Sequence, residues 1–182
     1  MSQRVEYEAL PGTRYDQYIP KIRSVARFLS TSEGTGFKVF RDFLRKEGLG
    51  DREKSPRMLS LIDASWDRQS VKVGALARKL VEAESDDAAR TLLFQRLEKD
   101  NILLLKYVLE ALDVESGGRL HSVHELYRMV TSYVYPGEYV TLPNFQAWVE
   151  WLAATGYIRM IGIPWGLSET GLGVIQDFTS FD

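Results

Sequence analysis

The chain has 182 residues, 45% hydrophobic and 26% charged, the range of soluble globular proteins, and it is long enough to bury roughly two-thirds of its unfolded surface in one or two small domains. Cysteine is absent, which excludes disulfides and thiolate metal sites, and no stretch approaches the roughly 20 apolar residues of a membrane span. The N-terminal MSQRVEYEAL lacks the apolar core of a secretion signal, so a cytoplasmic protein without membrane contact is expected.

The net charge of −2 hides an asymmetry. Residues 1–100 carry 19 Lys and Arg against 16 Asp and Glu, a balance of +3, while residues 101–182 carry 4 against 9, a balance of −5. Acidic surface repels phosphate and basic surface gains affinity by releasing counterions, so nucleic acid is expected to meet the first half.

Helical spacing dominates between clusters of breakers at Ser30–Gly36, Gly48–Pro56, Asp113–Gly118 and Pro136–Gly137. Tyr15, Tyr18, Ile19, Ile22, Val25, Ala26 and Leu29 recur at intervals of three and four and predict a first helix with Pro20 in its first turn. A second is expected from Phe37 to Glu47, closed by Gly48 as a left-handed cap, and a third from about Arg57 to Asp67. Further helices are predicted at Val73–Glu84 and Asp86–Lys99, the last continuing into the strongly apolar Asn101–Leu112. Ser70–Leu80, Val81–Ser85 and Asp86–Lys99 also have the rhythm of a degenerate helix-turn-helix. The expected class is mainly α, with a helical domain at 1–100 and a second domain at 101–182.

In that second domain Ser122 precedes Glu125 by three residues, a capping box before a helix whose buried stripe is Val123, Leu126, Tyr127 and Val130. Thr141 is placed to cap the next helix, with Phe145, Trp148, Val149 and Leu152 inward and Asn144, Gln146, Ala147, Glu150 and Trp151 outward. Gly156 ends it. Tyr157–Ile163 then predicts a strand, Pro164-Trp165-Gly166 a tight turn and Leu167–Thr170 a returning strand, before a short helix with Leu172, Val174, Ile175 and Phe178.

Three helices and a hairpin, with Ala153-Ala154-Thr155-Gly156-Tyr157 at the helix-to-strand step and Gly166-Leu167-Ser168-Glu169-Thr170-Gly171 at the return, resemble the winged-helix family. The resemblance covers about 80 residues, and a degenerate first copy makes the chain similar in layout to tandem winged-helix proteins such as the kleisin-binding subunits of chromosome-organising complexes and accessory subunits of some anti-phage systems. It implies a hairpin wing and a third helix that, in many members, reads double-stranded DNA in the major groove. Here that helix departs from the pattern, for Leu142–Ala154 contains no Lys or Arg and the hairpin offers only Arg159. Glu150, Trp151 and Trp165 are therefore candidates for a protein-contact surface, the competing reading being that both tryptophans are packing residues.

The candidate nucleic-acid residues lie in the first half: Arg23 and Arg27 one turn apart, Lys38, Arg41 and Arg45 on one stripe, and Lys46 with Arg52, Lys54 and Arg57 beyond it. Interspersed Asp42, Glu47, Asp51 and Glu53 offer the alternative of surface ion pairs. Chemistry is poorly represented. His121 and His124 beside Glu125 lack a second ligand cluster, so no metal is expected. Gly34-Thr35-Gly36-Phe37-Lys38 lacks phosphate-loop spacing, and Glu82, Glu84, Asp86 and Asp87 suit a helix start. With no paired nucleophile and base, the expectation is a non-enzymatic, cofactor-free subunit of a DNA-associated complex, its basic half on nucleic acid and its acidic module on a protein partner. The competing expectations are a homodimeric DNA-binding regulator and a protein-only scaffold.

Overall fold

A computed structural model describes residues 5–32, 34–50, 61–63, 70–135 and 140–179. The chain is mainly helical, as its periodicity predicts, and includes a small antiparallel hairpin near the C-terminus. It divides into two compact units. One comprises Glu8–Leu93, and the other joins Met1–Tyr7 to Phe94–Asp182.

The N-terminal unit holds α1 (Tyr18–Thr31), α2 (Phe37–Lys46), β1 (Ile62–Asp63), β2 (Lys72–Val73), α3 (Ala75–Glu82) and the start of α4 (Asp86–Leu112). Of the predicted face of α1, Tyr18, Ile19, Ile22, Val25, Ala26 and Leu29 are all buried and form the centre of the core, whereas Tyr15 lies in a 3-10 turn before the helix and is only partly buried. A Phe28–Phe43 stack at 4.0 Å fastens α1 to α2. Gly48 takes the left-handed conformation expected of it, φ 74°, as the Leu49 amide returns to the Leu44 carbonyl at 2.8 Å.

Two expectations fail here. The helix placed from Arg57 to Asp67 lies largely outside the described residues, but Ile62–Asp63 is a strand paired antiparallel with Lys72–Val73. The helix placed from Val73 begins only at Ala75, since Ser70–Val73 is committed to pairing: Ser70 bridges Gly36, and the Val71 amide donates to the Thr35 carbonyl at 2.8 Å.

In the C-terminal unit α4 bends at Asn101, whose φ of −152° and ψ of 63° are not helical and whose side-chain carbonyl accepts from the Tyr135 hydroxyl at 3.1 Å. Then come α5 (Val123–Tyr133), α6 (Leu142–Ala154), β3 (Ile158–Met160), β4 (Trp165–Leu167) and α7 (Glu169–Thr179). The capping box forms as read: the Ser122 hydroxyl accepts from the Glu125 amide, and the Glu125 carboxylate accepts from the Ser122 amide at 2.8 Å. Thr141 caps α6. The hairpin turn falls at 161–164, earlier than predicted, so Trp165 and Gly166 are strand rather than turn, with Met160 opposite Trp165. β4 also pairs on its other side with His121, whose amide donates to the Trp165 carbonyl at 3.2 Å and whose carbonyl accepts the Trp165 amide at 2.7 Å.

The two units share part of an order of elements. In each, a helix leads to a single bridging residue, Gly36 or His121, and then to further helix, α2 among the described residues of the N-terminal unit and both α5 and α6 in the C-terminal unit. Two antiparallel strands follow, the second run pairing with both the first strand and the bridging residue, and a helix closes the unit.

Candidate functional site

Of the nine basic residues singled out in the sequence, Arg52, Lys54 and Arg57 lie outside the described residues, and the other six take two roles. On α2, Phe40 and Leu44 point inward and are fully buried, which turns Lys38, Arg41 and Arg45 outward at i, i+3 and i+7. They span roughly 10 Å at the helical rise per residue. Lys46 is the last residue of the helix, exposed at its carbonyl end, where positive charge is favoured. Arg45 pairs with Asp42 at 3.3 Å, both side chains 57% exposed, an exchangeable surface contact worth about 0 to 1 kcal/mol. Arg27 is exposed on α1.

Arg23 does not belong with them. Its side chain is 12% exposed, and its guanidinium donates to the Ala83 carbonyl at 2.7 Å and to the Asp86 carboxylate. That pairing holds α1 to the turn between α3 and α4, so Arg23 is a structural tie and not a phosphate ligand.

The third helix of the C-terminal unit, α6, was read as presenting Asn144, Gln146, Ala147, Glu150 and Trp151. The inward set is as predicted, with Phe145, Trp148, Val149 and Leu152 fully buried. Ala147 and Trp151 are buried too, at 3% and 0% exposure, and this corrects the reading of Trp151 as a contact for a partner. The chain's own N-terminal segment meets this helix. The Asn144 side-chain amide donates to the Val5 carbonyl at 3.2 Å, and Val5 and Tyr7 are 1% and 4% exposed. Tyr7 in turn donates to Asp100 at 2.8 Å, and Asp100 also accepts from Arg96 at 2.8 Å. Asn144, Ala147 and Trp151 share one face by their spacing. That face of α6 is thus engaged within the unit.

Trp165 is also a packing residue, 7% exposed on β4 between β3 and His121, so it too is withdrawn from the contact surface. Glu150 stays partly exposed and Gln146 exposed.

Comparison with family models, curated proteins and solved structures finds no match to this chain. Its sites are therefore read from geometry.

The β3–β4 hairpin is mainly apolar at its turn. Beyond Arg159 it exposes Met160, Ile161 and Ile163, the last at 82%. Beside it a hollow of about 410 Å³ is lined by Tyr107, Glu110, Ala111, Arg119, His121 and Met129, with Gly117 and Gly118. His121 is 5% exposed, and its Nδ1 has no hydrogen-bond partner, the Glu125 carboxylate lying 3.9 Å away. Burial lowers its pKa below the usual histidine value, the Arg119 charge adds to this, and Glu125 opposes it. Among the described residues no three His, Asp or Glu are grouped to hold a metal ion, and no helix is long and apolar enough to cross a membrane.

Sequence reasoning missed the N-terminal segment as part of the C-terminal unit. Its signal was the alternation of Val5 and Tyr7 with Glu6 and Glu8, the mark of an extended segment with one buried side.

Proposed function

We propose that this protein is a non-enzymatic, cytoplasmic, winged-helix subunit of a DNA-associated complex, in which α2 of the N-terminal unit contacts double-stranded DNA and the C-terminal unit contacts protein. The order of elements supports the family reading. In the C-terminal unit it runs helix, bridging strand residue, two helices, hairpin and closing helix, with β4 paired on both sides. The same bridge and hairpin order in the N-terminal unit supports a tandem arrangement, with the first copy at about residues 18–82 and not at 70–99.

The division of labour rests chiefly on one observation. On α6, Asn144 is tied to Val5 and Ala147 and Trp151 are buried, so the exposed remainder carries Gln146 and Glu150 and no cation, whereas α2 displays Lys38, Arg41 and Arg45 in an exposed row. A cationic row of this kind binds phosphates without reading sequence. The acidic balance of residues 101–182 favours a protein surface over a phosphate one.

A gel shift on random and genomic duplex tests this. At about 50 mM salt, where electrostatic binding is strong, the wild type shifts both duplexes, and the triple change of Lys38, Arg41 and Arg45 to Glu abolishes the shift. Changing Asn144 and Gln146 to Ala leaves it intact. Loss of sequence preference in that second variant supports a homodimeric regulator instead, and no shift by the wild type leaves a protein-only scaffold.

A further inference from the structure

We propose that the C-terminal unit carries a self-association site, in which the apolar tip of the β3–β4 hairpin of one copy enters the hollow beside His121 in a second copy of this chain. The tip exposes Met160 at 45%, Ile161 at 40% and Ile163 at 82%, three large apolar side chains within four residues at the end of a tight turn. An apolar cluster at an exposed turn is a natural anchor for a partner surface.

The hollow has the complementary form. Tyr107, Ala111 and Met129 supply apolar wall, Gly117 and Gly118 supply bare backbone, and polar groups gather at Glu110, Arg119 and His121. Such a site takes an apolar anchor flanked by a cation that can meet Glu110. The hairpin offers this sequence of groups: Arg159 is exposed and followed by Met160-Ile161-Gly162-Ile163. Among the described residues neither Arg159 nor Glu110 has an ion-pair partner, so the two charges are available to each other.

Knob and hollow also adjoin on the surface. Leu120 directly precedes His121, and its side chain and that of Ile161 close over Gly166, where an added Cβ would stand 2.5 Å from Leu120 and 2.7 Å from Ile161. With the two features side by side, a twofold axis between them makes the same contact twice and closes the assembly at a dimer. Ile163 stays 82% exposed in the single chain, so it does not occupy the neighbouring hollow of its own copy.

The chain has no cysteine, which permits a clean test. Sedimentation equilibrium over about 1 to 100 µM, the range of weak specific dimers, is expected to show a monomer–dimer equilibrium, weakened about tenfold or more by Ile163→Asp. Arg159→Glu and Glu110→Arg each weaken the dimer, and the two together restore it. Circular dichroism melting confirms that each variant is folded. In a second arm, Ile163→Cys with Ala111→Cys forms an oxidised dimer that neither single variant forms. A wild type monomeric throughout overturns the proposal. So does a dimer indifferent to Ile163→Asp, or efficient cross-linking of Ile163→Cys alone, which means tips meeting tips. These readouts need no DNA.

Discussion

Tyr7 shows how one hydrogen bond ties a chain end to a fold. Its ring is 4% exposed, and its hydroxyl donates to Asp100, whose carboxylate Arg96 also engages. Removing the hydroxyl in Tyr7→Phe leaves Asp100 with one partner fewer, at an expected cost of about 1 to 2 kcal/mol in chemical denaturation. The pH dependence has a definite sign. Burial, and then the Asp100 charge, push the phenol far above its ordinary 10.0. A group whose folded pKa is raised contributes stability that is complete below the unfolded value and is lost as pH rises beyond it. Wild type is therefore expected to lose stability above pH 10 more steeply than Tyr7→Phe, and parallel curves for the two would refute the assignment. The apolar character of Val5 and Tyr7 was legible in the sequence, but their partner was not. Asp100 lies 93 positions from Tyr7, and Asn144 lies 139 from Val5. Periodicity reports which residues seek burial and carries no address for it, which is why Trp151 was misplaced outside.

Elements were legible where one periodicity acted alone. The inner faces of α1 and α6 and the two caps at Ser122 and Thr141 stand as read, because each rests on neighbours within one or two turns. The sequence places a helix from Val73 and a helix-turn-helix rhythm from Ser70, although Val71 and Val73 are buried around exposed Lys72. That alternation is too short to prevail against the helical run after it, and only pairing with Thr35, Gly36 and β1 decides it. Two glycines of α7 give the element a sharp test. A Cβ at Gly171 would lie 2.1 Å from the Tyr157 carbonyl oxygen, whereas at Gly173 nothing lies within 4 Å. Gly171→Ala must push α7 away from the step into β3, a cost of about 2 to 3 kcal/mol. Gly173→Ala relieves the entropic penalty of a helical glycine and is expected to stabilise by about 0.5 to 1 kcal/mol. Opposite shifts in thermal midpoint for substitutions two residues apart check that the close approach, rather than helix propensity, governs Gly171.

At the scale of the whole molecule, the segregation of charge was legible from residue counts alone, because it needs no contact map. The structure narrows it. Arg23 is consumed in holding α1, and among the described residues the candidate basic face keeps Arg27 and the α2 row with Lys46. On the function proposed above, the α2 row sets the salt response expected of DNA binding. Each phosphate neutralised on duplex DNA contributes about 0.9 to the fall of log affinity with log salt concentration, so the four cations of α2 together give a slope of about −3 to −4. The change of Lys38, Arg41 and Arg45 to Glu is expected to flatten the slope by about 3, whereas Glu110→Arg and Ile163→Asp leave it unchanged. Fluorescence anisotropy across a salt series reads both. A slope that survives the triple change would move the DNA contact elsewhere in the chain. A slope that Glu110→Arg steepens would place phosphate against the acidic unit and undo the separation of DNA from protein contacts. The comparison thus tests whether two units that share a bridge-and-hairpin order have divided their work by charge.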